Sequence, residues 1–539
     1  MRIPRVRLCA ALATVLLSVF AARARAQTAS MPEPTFRVSS SLVYLDITVL
    51  DKSGQPVVSG LTQDDFAITE DKKPQRIFSF EPPQVHRVSS GDNPNGKPPI
   101  TILVLDLLNS SFADFAFIRY SMRQFLMTQP LQLAAPTEMM VVGNQSLEMV
   151  QGFTHSREDL LAALNHLPPA VPFKEMDGMF FWDRFAQSID ALQQIALQNK
   201  GVPGRKNVVW VGHGGPNIEL IGPDFSGEDI QNLKQYVHDT TNMLVDSRIT
   251  LYVIYPGLKM HRDMTISMMD SDVDIGDSDP FSGEINFGVF ANETGGQLFF
   301  NRNDVDKMIG QSELLGSEYY TLTYQPQERD DNGKFRRIRV TVREPGLRVV
   351  TKAGYFAPQK YQVDDPRQQH MANLSEAVQA SIPFKALDVS VAGIVRHPDT
   401  NTAQFTILLH ADNLHWLLDD SGRNAAGLIA AAVSLDKNRD MLASKMWEGS
   451  VSPRNPQIAD RIEDVSNVQA KLLITVRIPR KTQSVRIVVE TELGGRLGTA
   501  DVDRKLIDAA PAEPTPEPKL ITPSRPDRFR PPYVPPPSK

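Results

Sequence analysis

Beyond residue 26 this chain contains no cysteine; its single thiol, Cys9, lies in the first ten residues. If the leader is removed, disulfides, thiolate metal sites and cysteine nucleophiles are excluded together. Also missing are Gly-x-Ser-x-Gly, His-Glu-x-x-His, a phosphate loop and a dinucleotide fingerprint. The ten histidines form no ligand-spaced cluster. An enzyme would therefore have no recognisable nucleophile, base or cofactor site. Positive charge is not in excess either. The chain has 57 Lys+Arg against 63 Asp+Glu, a net of −6, and five of the arginines lie in residues 1–26. A mildly acidic surface is unsuited to nucleic acid. No stretch after the leader is long and apolar enough to span a bilayer, so no transmembrane segment is expected in the mature chain.

What is present begins with an export signal. Arg2, Arg5 and Arg7 form a positive head, Leu8 to Ala22 a short apolar core, and Ala24-Arg25-Ala26 a small-residue cleavage site. That pattern reads as a secretory signal peptide cleaved after Ala26, placing the protein in the periplasm or outside the cell. With 41% hydrophobic residues in 539, there is core for two to four domains.

The most informative local feature is the apolar run 100–105 ending in Asp106, with Asn109, Ser110 and Ser111 close behind. A buried parallel strand reads as a near-continuous apolar run, and open α/β sheets place ligands beyond the carboxyl ends of their strands. A carboxylate followed by hydroxyls is a hard-oxygen cluster of the kind that holds Mg²⁺, Ca²⁺ or Mn²⁺. Equally, Asp106 can cap the next helix or bond loop amides.

Alternating strands and helices fill 100–316, with helices expected at 112–128, from Ser156, at about 183–198, from Ser226 and near 286–294, and one capped by Asn303. Strands at 138–143 and 146–151 are joined by a Gly143-Asn144 hairpin signal, the one antiparallel element in a mostly parallel sheet. Residues 36–82 read as a small β unit, 83–99 as a linker, and 317–360 as β strands pairing with the N-terminal unit. Period-two strands within 380–500 read as a C-terminal β-sandwich. The segment 505–539 reads as a disordered tail, since 11 of the 40 prolines fall in the last 29 residues. Deletion of 511–539 is accordingly expected to leave stability unchanged. Two further patterns carry no site. The acidic run 270–279 departs from a calcium loop at Ile275 and Phe281, and His261-Arg262-Asp263 has no kinase context.

In order, Asp51-Lys52-Ser53-Gly54, Leu61-Thr62-Gln63-Asp64-Asp65-Phe66, Leu105-Asp106-Leu107-Leu108-Asn109-Ser110, Pro203 to Trp210, Glu293-Thr294-Gly295-Gly296, Tyr319 to Pro326 and Ala353-Gly354-Tyr355-Phe356 resemble a von Willebrand factor A-type domain protein. Among such proteins the closest resemblance is to the VWFA-related secreted family of Acidobacteria. It covers roughly residues 40–357. The resemblance implies a Rossmann-like α/β A-type domain, here flanked by β-sandwich domains, and a metal-ion-dependent adhesion site. That family's first loop reads Asp-x-Ser-x-Ser; here the middle serine is Leu108. The register of the second loop puts Met179 where a threonine is expected, and that of the third puts His213 where an aspartate is expected. Asp106 and Ser110 remain as metal-site residues of a degenerate site, with Asn109, Ser111, Met179 and His213 as its binding rim. No cofactor is expected beyond a weakly held Mg²⁺ or Mn²⁺. The function expected is an exported, non-enzymatic protein-binding or scaffolding protein with a protein partner. The alternative is an envelope or secreted hydrolase.

Overall fold

The computed structural model describes residues 42–86, 99–144, 146–167, 178–220, 226–256, 279–327, 331–358, 366–418, 424–452 and 469–514. The leader, most of the 83–99 segment, nearly all of the acidic run and the chain from 515 onward lie outside the described residues. So do the side chains of 178–180, including Met179.

The apolar runs read from the sequence are the strands of a six-stranded sheet. Its spatial order is Gln297–Arg302, Ile249–Pro256, Lys206–Val211, Ile100–Asp106, Gln132–Val142, Leu147–Ser156. Every neighbouring pair is parallel except the last. Numbered along the chain, that order is the doubly wound 3-2-1-4-5-6, with its switch point between Ile100–Asp106 and Lys206–Val211. Successive side chains alternate between faces, so Leu103, Leu105, Val209 and Val211 pack with helices Phe112–Thr128, Arg157–Asn165 and Val305–Ser317. Ile102, Val104, Val208 and Trp210 pack with Gly178–Gln198, Gly227–Asp246 and Phe287–Glu293. Burial on both faces is what makes these strands continuously apolar.

Ser111, Ser156 and Ser226 cap their helices by accepting from the backbone three residues on. Several boundaries differ from expectation: the strands expected at 138–143 and 146–151 span Gln132–Val142 and Leu147–Ser156. The helix expected from about 183 opens at Gly178, so the register that put Met179 in a loop falls on a helix. The last helix of the unit is preceded by Asp304 rather than capped by Asn303, because the strand before it runs on to Arg302.

Strands from before and after this unit share sheets. Val43–Leu50 pairs antiparallel with Tyr320–Tyr324 and Arg348–Val350, and Phe66–Glu70 pairs with Phe335–Val342. Leu45, Ile47, Phe66, Ile68, Tyr320, Leu322 and Ile338 belong to one apolar cluster. Neither segment supplies a complete sheet by itself. Buried Arg205 ties the parts together by donating to Thr48, Thr250 and Tyr252 hydroxyls at 2.9, 3.0 and 3.1 Å. Farther on, Val389–His397, Thr402–His410 and Gln469–Arg477 form one antiparallel sheet. Asn424–Leu435 pairs with Met441–Val451 and with Ser484–Thr491 in another, and residues of both sheets join one core.

The linker and tail expectations need correction at their near ends. Pro83–His86 is a helical turn, and the buried His86 ring stacks on Tyr319 with centroids 4.2 Å apart. The tail does not begin at 505. Arg504–Ala509 is a helix with Ile507 buried, and Ala512 forms a parallel bridge with Arg396. Arg396 N–H donates to the Pro511 carbonyl at 2.8 Å, and Glu513 N–H donates to the Arg396 carbonyl at 2.9 Å. The cause is an edge strand: Val389–His397 presents unpaired backbone groups, and prolines still accept through their carbonyls. Deleting 511–539 is therefore expected to lower the unfolding free energy by about 1–2 kcal/mol rather than leave it unchanged. Urea titration of the truncated chain, with an unaltered midpoint as the contrary result, checks this.

Candidate functional site

The candidate site lies at the switch point, where Ile100–Asp106 ends beside Lys206–Val211. Leu107 and Leu108 N–H both donate to the Val142 carbonyl, at 2.9 and 3.0 Å, which turns the chain away from the sheet. Leu108 packs into the core, so the position expected to offer a hydroxyl faces inward.

Asp106 is fully buried. Its Oδ1 accepts from Asn109 N–H at 2.9 Å and from Asn109 Nδ2 at 3.1 Å. Its Oδ2 accepts from Asn109 Nδ2 at 3.1 Å, Trp210 Nε1 at 3.2 Å and Gly214 N–H at 2.8 Å. Burial pushes this carboxyl up to about 6 against the opposing pull of those donors. Asp106 thus bonds loop amides and does not cap the helix; Ser111 does that. Two glycines bring the third loop this close. Gly212 has φ +147°, and a Cβ there would lie 2.3 Å from Asp106 Cβ; Gly214 has φ +65°, and its Cβ would meet the Phe287 ring at 2.3 Å.

Behind the carboxylate stands a second layer. Arg184 Nε donates to Asn109 Oδ1 at 3.0 Å, and Asn109 Nδ2 also donates to Ser188 Oγ at 3.0 Å. Ser188 in turn donates to the Arg184 carbonyl at 2.8 Å, one helical turn back. Burial lowers the Arg184 pKa and the Asp106 carboxylate opposes that, so the guanidinium and the carboxylate act on each other across the Asn109 amide.

The other expected residues divide. Ser111 donates to Asp114 Oδ2 at 2.6 Å, and His213 Nε2 lies 3.8 Å from the same oxygen. These two rim residues therefore meet at Asp114. The His213 ring lies 5.6 Å from that of Tyr255. Ser110 Oγ is buried and makes no hydrogen bond; neither does the buried Tyr255 hydroxyl, whose pKa burial raises. Met179 lies on the helix Gly178–Gln198, its side chain outside the described residues.

A divalent cation and N–H donors compete for the same carboxylate lone pairs. Here four donors from three residues already point at both oxygens of Asp106, and a guanidinium sits one amide away. This donor set does not fit a hard cation, which needs about six oxygens and a negative surround. Ser110 Oγ makes no hydrogen bond, so it is not paired with His213 as a nucleophile with its base. The sequence reading missed Arg184, Ser188, Trp210 and Tyr255. Only Trp210 carried a signal: an indole N–H at the end of a buried strand needs an acceptor.

No protein-family model matches this chain. No curated protein matches it either. Among solved structures it is similar to the crystal structure of the SpRpn10 VWA domain. The identity is 14%, the match covers 40% of this chain and 96% of that one, and the TM-score is 0.22. The α/β assignment itself rests on the strand order above.

Proposed function

We propose that this chain is an exported, non-enzymatic protein-binding or scaffolding protein built on a von Willebrand factor A-type domain, one that engages its partner without a divalent cation. The observation that carries the proposal is the Asp106 carboxylate, buried and met on both oxygens by Asn109, Trp210 and Gly214. Strand order 3-2-1-4-5-6 with an antiparallel edge, together with the sequence stretches quoted above, supports the A-type assignment and the resemblance to the VWFA-related secreted family. The charge–apolar–small leader supports export. In this reading the strand pairs on either side of the α/β unit form a β-sandwich through which the domain is inserted, and the C-terminal sheets form a second. The partner contacts the rim around Ser111, Asp114 and His213. The hydrolase alternative lacks a comparable observation: the Ser111 hydroxyl bonds Asp114 as its helix cap, and Ser110 Oγ makes no hydrogen bond.

The test is capture from envelope extract of the producing cells on immobilised chain, in Mg²⁺ and in EDTA. The same partner is expected in both, with recovery lowered by His213→Ala. Loss of the partner in EDTA, or turnover of an extract component without stable capture, contradicts the proposal.

A further inference from the structure

Helix Phe112–Thr128 buries one face through Phe115, Ile118, Ser121, Met122, Phe125 and Leu126. The opposite face of such a helix is ordinarily polar. Here it is not. Phe112 is 69% exposed, Tyr120 58% and Met127 54%. At about 100° per residue these three, with Ala116, Arg119 and Arg123, fall within roughly a quarter of the helix circumference. The result is an outward stripe of three exposed apolar side chains about two turns apart, interleaved with Ala116, Arg119 and Arg123. Exposed apolar side chains aligned on one helix face, with cations among them, offer a surface for a partner of matching pattern.

The charges on the stripe are of one sign. Arg123 Nη1 donates to Asn165 Oδ1 at 3.1 Å, and Arg119 Nη2 reaches the Asn165 carbonyl at 3.5 Å. Among the described residues neither pairs with a carboxylate. The helix's only acid, Asp114, is engaged with Ser111 in the cap. Two guanidiniums are thus held beside three apolar side chains, with no carboxylate partner among the described residues.

From this juxtaposition we infer that the outward face of Phe112–Thr128 docks an amphipathic protein segment whose apolar side chains are flanked by carboxylates. The inference rests on the reading of the chain as a binding protein and adds a face distinct from the Asp114–His213 rim. A second copy of the chain fits poorly. A two-fold contact sets the stripe against itself and brings Arg119 and Arg123 of one copy to those of the other. An anionic bilayer also fits poorly, since the stripe carries only two cations on a chain of net charge −6.

The experiment uses the full chain and a fluorescent synthetic helix with leucines on one face and flanking glutamates. A companion peptide carries lysines for the glutamates, and the other arms are phosphatidylglycerol vesicles and sedimentation of the chain alone. The glutamate peptide is expected to bind, and Tyr120→Glu with Met127→Glu to weaken it at least about tenfold. Arg119→Glu with Arg123→Glu should weaken the glutamate peptide and strengthen the lysine peptide. His213→Ala should leave peptide binding unchanged. All four stripe positions are exposed, and unchanged thermal melting confirms that the variants fold. The inference is overturned by equal binding of the two peptides, by indifference to the arginine reversal, by association with vesicles alone, or by self-association lost in Tyr120→Glu. If extract capture survives while peptide binding fails, this inference falls and the proposed function stands. Loss of extract capture with peptide binding intact has the opposite meaning.

Discussion

Replacing Asp106 with alanine is expected to lower the unfolding free energy by about 3 kcal/mol. Four N–H donors lose their acceptor at once: the Asn109 amide and side chain, the Trp210 indole and the Gly214 amide. All are buried at the carboxyl end of the sheet's central strands, and a buried donor without a partner is more costly than a lost bond in water. Part of the loss is offset because alanine removes a carboxylate that burial itself disfavours. Asparagine is not a remedy. Donors approach both oxygens, so either orientation of its amide sets an N–H against an N–H. A helix cap, by comparison, is worth about 1 kcal/mol. Guanidinium unfolding of the wild type and both variants measures this. A loss near the cap value, with asparagine harmless, would mean that the donor network contributes little.

The second large effect is a gain. Glu138 lies fully buried on Gln132–Val142, with Oε1 unbonded and Oε2 3.4 Å from Gln198 Nε2. Burial pushes its carboxyl up to about 8, and the Gln198 amide opposes that only weakly. Because the folded value lies above the ordinary one, this acid's favourable contribution is complete below about pH 4 and fades as pH rises through 8. Glutamine has no such dependence. Glu138→Gln should therefore match the wild type near pH 4.5 and exceed it by about 3–4 kcal/mol at pH 8. A shallower slope should persist in the variant, since burial also pushes Glu293 up to about 7. Denaturation midpoints across pH 4.5–8 test it, and parallel curves for the two proteins would contradict it.

What was legible in the sequence was local. Apolar runs ending at Asp106 and Val211, the hairpin at Gly143, and serines at 156 and 226 each announce themselves within a few residues. Strand registers and caps follow from such short-range chemistry. The site did not, because its partners come from far along the chain. Trp210 and Gly214 reach Asp106 across 104 and 108 residues, and Arg184 reaches Asn109 across 75. No spacing rule links them. The expectation of an oxygen cluster at 106–111 treated those residues as a set. In the folded chain Asn109 turns its amide inward onto Asp106, Ser111 turns to Asp114, and Ser110 stands apart. The tail failed for a similar reason: composition describes a proline-rich segment by itself, and the edge strand at Arg396 that receives it lies more than a hundred residues away.

The central claim is that internal donors, rather than a cation, satisfy the carboxylate at the mouth. Calorimetric titration of the wild-type chain with Mg²⁺, Mn²⁺ and Ca²⁺, repeated on Asp106→Ala, tests it most directly. The account predicts no binding tighter than the millimolar range for any of the three ions, in either protein. Micromolar affinity in the wild type that disappears in Asp106→Ala would contradict it and restore a metal-dependent adhesion site.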